Sequence, residues 1–307
     1  MDISFNALKK CKLCPHNCGA DRFAGNSGYC RSDYNYNISS IVAHKGEEPP
    51  ISGVKGICNI FFSHCNLQCV YCQNFQISGN TTAHSNKYWD FEKVLSDIQQ
   101  HLDAGCKAIG YVSPSHQIPQ MVSIIRAFEH HSPKPVFVYN TNGYDKVDTL
   151  KELEGLIDIY LPDLKYLDGS LSKELSDVPA YPEIAKKALK EMFRQKGTVL
   201  RYSDEHHAES GMIIRHLVLP GCVQNSLDVL HFIAEELSPK IHISLMSQYY
   251  PIHMAMNYKN INRVLSKREY EIVVNEAEKL GLTKGWIQAL DSTDHYRPDF
   301  ENEQPFE

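Results

Sequence analysis

Residues 57–74 read ICNIFFSHCNLQCVYCQN. The first seven, ICNIFFS, are apolar and β-prone, as in a strand buried on both faces. The polar pair Ser63 and His64 then marks a change from strand to loop. Three cysteines follow at C-x3-C-x2-C spacing: Cys65, Cys69 and Cys72. On a helix they would share one face and could serve as core. Three thiols in so short a stretch, directly after a strand, are too concentrated for packing alone and point to a metal. Structural zinc takes four protein ligands, and catalytic zinc takes three with water. His64 neighbours Cys65, and adjacent side chains diverge, so it makes a poor fourth ligand. A four-iron cluster normally takes four thiolates. Held by three, it keeps one iron with open positions, which a small molecule can occupy.

Outward from this loop, short β-prone runs alternate with helical stretches. Helices are expected over 90–105, over QIPQMVSIIRAFEHH (117–131), over 182–197, over SLDVLHFIAEEL (226–237) and over 266–281. Strands are expected over 108–113, 135–143, 156–166, 211–221, KIHISLMSQY (240–249) and 285–290. Repeated strand–helix units imply parallel strands with right-handed crossovers, in a partial (β/α)6-type barrel or a doubly wound sheet. YLDGSLSKELSDVPAY (166–181) is polar and reads as an irregular working loop. Residues 1–50 form a small, loop-dominated, Cys-rich unit. Residues 51–290 form the barrel. Residues 291–307 form a polar tail, expected to be poorly ordered.

The 307 residues are 42% hydrophobic and 22% charged, ordinary for a globular chain. A net charge of −6 gives no electrostatic case for nucleic-acid binding. No apolar run reaches membrane-spanning length, and the N-terminus lacks a signal-peptide core. A cytoplasmic location is expected. Ten cysteines there need a reason other than disulfides.

With Tyr71 before its last cysteine, CNLQCVYC resembles the signature of the radical S-adenosylmethionine (SAM) superfamily, placed after the first strand as in that family. The resemblance implies the partial barrel, a [4Fe–4S] cluster on Cys65, Cys69 and Cys72, and SAM bound at the open iron. It also implies reductive cleavage of SAM to a 5′-deoxyadenosyl radical, with electrons from a flavodoxin- or ferredoxin-type donor. CVYCQN, NTNGY, DIYLPDLKY, IRHLVLPG and LMSQYYP together are similar to pyruvate formate-lyase activating enzymes, over residues 8–290. Such proteins take a hydrogen from a glycine of a partner glycyl-radical enzyme. A leading cysteine unit is a departure from the well-understood members.

Further site residues are carried over on the same resemblance. Tyr71 would pack near the adenine, or simply in the core. GYVSPSHQ (110–117) lacks the usual GGE-like string, so Ser113, Ser115 and His116 would meet the amino group of SAM, or merely end a strand. Asn140, Thr141 and Asn142 lie at the C-terminal end of a strand, where barrel sites form. Asp163 and Lys165, two apart, share a face, with Lys165 directed at the carboxylate of SAM; the alternative is a surface ion pair. Of Arg215 and His216, at most one points inward. Gln248 and Tyr249 would line the mouth, and Cys222 would approach it.

CKLCPHNCGADRFAGNSGYC places Cys11, Cys14, Cys18 and Cys30 at C-x2-C-x3-C-x11-C, a complete set of four thiols. It suits structural zinc, a second iron–sulfur cluster, or unmetallated or redox-active thiols, and His16 could replace one ligand. Cys58 and Cys106 read as core. The leading function is a glycyl-radical-enzyme activase. The alternatives are a radical SAM enzyme modifying a peptide, nucleotide or small metabolite, and a non-catalytic metal-binding or electron-transfer protein.

Overall fold

The computed structural model describes residues 1–80, 89–290, 297–302 and 304–306. Among the described residues nine strands form one sheet: β1 (Ile38–His44), β2 (Ile57–Phe62), β3 (Ala108–Val112), β4 (Val136–Thr141), β5 (Ile159–Pro162), β6 (Arg201–Tyr202), β7 (Ala208–Leu217), β8 (His242–Met246) and β9 (Gly285–Ile287). From β2 the order is β3, β4, β5, β7, β8, β9, every neighbouring pair parallel. β1 pairs antiparallel with β2, and β6 antiparallel with the start of β7. Among the described residues β1 and β9 end the path, so this is a partial barrel that does not close.

The helices are α1 (Pro49–Ser52), α2 (Phe75–Ser78), α3 (Phe91–Asp103), α4 (Ile118–Phe128), α5 (Val147–Glu152), α6 (Gly169–Ser176), α7 (Tyr181–Lys196), α8 (Val223–Phe232) and α9 (Lys267–Lys279). Local chemistry sets their ends. Asp90 caps α3 by accepting the Lys93 amide. Ser266 and Glu269 close a capping box on α9. α7 starts with Pro182 near its first turn and stops at Gly197, whose φ of 65° suits glycine.

Period-two alternation divides the strand residues into two layers. Cys58, Ile60, Ile109, Tyr111, Phe137, Tyr139, Tyr160, Met212 and Ile214 pack outward under the helices in the main core. Ile57, Ala108, Val138, Ile159, Leu161 and Ile213 pack inward in a second cluster. Each isoleucine, leucine, valine, phenylalanine or methionine among them, fully buried, contributes about 1.5–3 kcal/mol. Along several strands the inward series then turns polar: Asn59, Asn140, Asp163 and Arg215 succeed the apolar residues toward the C-terminal ends. The barrel is dry at one end and lined with hydrogen-bonding groups at the other.

Three expectations change. β1 is a strand that the weak periodicity of the leading residues does not announce. β5 is shorter than the 156–166 run, because Pro162 has no amide to continue the ladder; the chain goes on as a single bridge from Asp163 to Arg215. The segment expected as an irregular loop contains α6. Asp168 caps it by accepting the Ser170 and Leu171 amides, and Asp177 ends it in the left-handed region at φ 58°. Its polarity conceals it, since only Leu171 and Leu175 carry helical spacing. Residues 291–296, 303 and 307 of the expected tail lie outside the described residues. The described remainder packs back, with the Phe300 and Phe306 rings on Phe61.

Candidate active site: a three-thiol loop facing a buried ion network

The cysteine loop follows β2, and its shape is held by side-chain amides. His64 takes φ 68° and its amide donates to the Ile77 carbonyl. Asn80 accepts the Cys65 amide and donates to the Cys65 carbonyl. Asn66 donates to the Tyr144 carbonyl at 2.8 Å. Asn142, past the end of β4, donates to Asn66 Oδ1 at 2.7 Å. α6 supports the far side, where the Val70 amide donates to the Leu175 carbonyl.

Hydrogen-bond donors converge on all three sulfurs. Cys65 Sγ receives the Leu67 amide and Asn142 Nδ2, both at 3.4 Å. Ser176 Oγ donates to Cys69 Sγ at 3.0 Å. Ser78 Oγ lies 3.2 Å from Cys72 Sγ. A hydroxyl chain runs back from Ser176 through Tyr166 to Tyr71. Burial pushes the Cys65 thiol up to about 12 and the Cys69 thiol up to about 11, and raises Cys72 as well. Such thiols ionise only when a cation takes the proton's place. Thiolates are the species that N–H and O–H donors stabilise, so the donor set fits metal ligation. Among the described residues no three His, Cys, Asp or Glu side chains stand at the spacing of a single bound ion. A four-iron cluster is wider than one ion and takes its thiolates farther apart.

Across a cavity of about 430 Å³ lies an ion network. Lys165 Nζ is 2.7 Å from Asp163 Oδ2, and Arg215 Nε is 2.9 Å from Asp163 Oδ1. Arg215 continues to Glu47 Oε2 at 3.0 Å and to Asn140 Oδ1 at 2.6 Å. Asn140 and Asn59 both donate to Glu47 Oε1. Two carboxylates and two cations therefore sit together, largely but not fully buried. Burial raises the Asp163 carboxyl, but Arg215 and Lys165 outweigh it and hold it below the usual range. Burial lowers Lys165, and Asp163 outweighs that and keeps it charged. Beside the network, burial raises the Glu48 carboxyl.

Cys65, Cys69, Tyr71, Cys72, Ser113, Asn140, Asn142, Asp163, Lys165, Arg215 and Gln248 all line this one cavity. Other candidates point elsewhere. Ser115 donates to Asp145 at 2.6 Å in the core, and Thr141 bonds the same carboxylate. His116 is buried against the Ser63 carbonyl. His216 sits on the helix side, between the Leu164 carbonyl and Ser226. The Tyr249 hydroxyl donates to the Ile261 carbonyl. Cys222 is packed in the main core, as are Cys58 and Cys106. Glu47 and Glu48 also line this cavity, and no motif announced them. The only local sign is an acidic pair before Pro49 and Pro50.

A family model described as a 4Fe–4S single cluster domain matches residues 51–181, which include the whole cysteine loop and Asp163 and Lys165. The chain belongs to the radical SAM superfamily. An uncharacterized protein of Methanocaldococcus jannaschii, MJ0674, is 30% identical over 289 residues, covering 92% of this chain and 78% of that one. Among solved structures, Streptococcus suis SuiB aligns over 74% of this chain and 47% of its own, with 17% identity and a TM-score of 0.50. A domain of pyruvate-formate lyase-activating enzyme from Bacteroides vulgatus aligns over 55% of this chain and 92% of its own, with 18% identity and a TM-score of 0.39. This chain thus spans about half the length of SuiB. The matched family model gives residues 51–181 a single [4Fe–4S] cluster. No helix among the described residues is long and apolar enough to cross a membrane.

Proposed function

We propose that this radical SAM enzyme removes a hydrogen atom from a glycine of a polypeptide partner, leaving a glycyl radical there. One observation carries the placement of the chemistry. The thiol loop and the Asp163–Lys165–Arg215 network open onto the same cavity at the C-terminal ends of the strands, where barrel enzymes work. The choice of a glycine rests on the similarity of NTNGY, DIYLPDLKY and IRHLVLPG to activating enzymes.

Cys65, Cys69 and Cys72 would hold the cluster, which when bound supplies the electron that cleaves SAM to the hydrogen-abstracting 5′-deoxyadenosyl radical. The chain's own residues do the rest. Leu67, Asn142, Ser176 and Ser78 donate to the three sulfurs and disfavour their reprotonation. Lys165 offers its ammonium to the carboxylate of SAM, and Asp163 fixes its direction. Arg215 holds Asp163 ionised from the other side. Asn142 and Ser113 present polar groups to the amino acid portion. Tyr71 offers a ring face to the adenine, its hydroxyl already engaged with Tyr166. Phe61, Leu217, Met246 and Trp286 line the walls and exclude water, which protects a reactive radical. A flavodoxin- or ferredoxin-type protein is the proposed electron donor.

The test is anaerobic mixing of the protein with SAM, a reductant and glycyl-radical enzymes of the host. A doublet from a glycine-centred radical in electron paramagnetic resonance is expected. Release of 5′-deoxyadenosine with no doublet from any partner would overturn the glycine assignment.

A further inference from the structure

Glu48 stands at the cavity with one carboxyl oxygen unengaged. We propose that it receives a positively charged group of the substrate, an ammonium or guanidinium, in the cavity that the thiol loop faces. This rests on the reading of that cavity as the place where substrate meets SAM, and not on the choice of a glycine.

The run Glu48, Pro49, Pro50, Ile51 leaves the carboxyl without a local partner. Glu48 is the N-cap of α1, and a side chain there ordinarily accepts an amide two or three residues on. Pro50 has no amide to give, and the Ile51 amide donates to the Glu48 carbonyl at 2.8 Å. The Glu48 side chain makes no capping bond. It is 7% exposed and lines the cavity, and its Oε2 has no hydrogen-bond partner among the described residues. The other charged groups of the lining are matched. Glu47 accepts on both oxygens, from Asn59, Asn140 and Arg215. Asp163 accepts on both, from Lys165 and Arg215. The lining therefore holds Glu47, Glu48 and Asp163 against Lys165 and Arg215, and Glu48 is the acid left over. A buried carboxylate needs a cation or a full set of hydrogen bonds. Burial raises the Glu48 carboxyl, and a cation brought against it restores the charged form.

The position favours substrate over SAM. β1 and β9 are the two ends of the sheet path and do not pair among the described residues. His44 of β1, Glu48 after it and Trp286 of β9 nevertheless line one cavity. Glu48 thus belongs to the side where the barrel is open, which suits a ligand that enters from outside. Trp286 gives that side an aromatic face, which attracts organic cations. His44 Nδ1 also has no partner among the described residues, at 9% exposure, and a neutral imidazole nitrogen accepts from N–H. Among the described residues no three His, Cys, Asp or Glu side chains stand at the spacing of a bound metal ion, so the occupant is an organic cation. On a polypeptide such a group is a lysine or arginine side chain or an N-terminal amine.

The test uses the cluster-loaded full chain with SAM and no reductant. The probes are n-butylammonium, n-butylguanidinium and neutral n-butanol, with affinities read by saturation-transfer nuclear magnetic resonance. The natural chain should bind at least one cation about ten-fold more tightly than butanol, and Glu48→Gln should abolish that preference. Equal affinity for all three probes in the natural chain would overturn the proposal whether or not the variant folds. A preference that survives Glu48→Gln would overturn it as well. SAM affinity, measured on both forms, separates the two sources of positive charge. It should be the same in both; a fall of about ten-fold would assign Glu48 to the sulfonium of SAM and refute the substrate role. Failure of the glycine assignment shows instead as a missing doublet and leaves the cation preference in place.

Discussion

Lys165 reaches the cavity with its ammonium already engaged by Asp163, and this arrangement gives the two residues separable effects. Lys165→Met removes a charged hydrogen bond to the carboxylate of SAM and should weaken SAM binding about 10–100-fold. Equilibrium binding to the cluster-loaded protein checks this, and unchanged affinity would remove Lys165 from the SAM site. Asp163 is also a stability device with a defined sign. Its folded-state pKa lies below its ordinary value of 3.8, held there against burial by Arg215 and Lys165. The stabilisation is therefore present above that value and lost as pH falls through the depressed one. Urea midpoints measured downward from about pH 5 should drop more steeply for the natural chain than for Asp163→Asn. Parallel curves would contradict the buried pairing. Cys69→Ala should abolish 5′-deoxyadenosine release from SAM under reducing anaerobic conditions, and persistent release would place the cluster elsewhere. The cysteines and the Asp163–Lys165 pair were legible as motifs, since spacing alone puts them on one loop or one face. Glu47 was not, because its partners Asn59, Asn140 and Arg215 come from three distant strands.

At the scale of elements, the strands carry two readings in one alternation. The outward residues make the core beneath the helices, and the inward ones run from apolar to polar. Gly110 on β3 shows how tightly the inner layer is fitted. A β-carbon there would lie 2.0 Å from Asn59 Oδ1. Gly110→Ala should cost about 1–3 kcal/mol by overpacking, read as a lowered denaturation midpoint at unchanged slope. α6 is the clearest failure of periodicity. Its sequence is polar enough to pass for a loop, yet it delivers Ser176 to Cys69 and the Leu175 carbonyl to the Val70 amide. Two leucines one turn apart are too few to announce a helix. An aspartate cap and the packing surface of the cysteine loop decide it instead.

For the whole molecule, the cluster loop is an attachment to a barrel that holds itself together. The main core joins strands and helices through buried apolar residues, and the thiols contribute little of it. Stripping the cluster with a chelator should abolish visible absorbance while far-UV circular dichroism stays nearly unchanged. Global loss of the helical signal on stripping would show instead that the metal organises the barrel. The leading residues pack onto this frame. His16 Nε2 lies 2.8 Å from the Asn66 carbonyl, and Arg22 binds the His116 carbonyl. The leading unit thus touches both the catalytic loop and the turn after β3.

By itself the sequence determined the alternation of strand and helix, the parallel architecture that follows from it, and the three-thiol loop after the first parallel strand. These are local properties, written in periods of two and 3.6 and in cysteine spacing. Tertiary structure alone decided that Glu47 closes the ion network, that Ser115 and His116 turn into the core, and that the buried Arg22 donates to Cys30 Sγ and the His116 carbonyl. Each of these depends on which distant side chains burial brings together. In a dry interior a charge must find its partner wherever the fold places one, and no spacing along the chain records that choice.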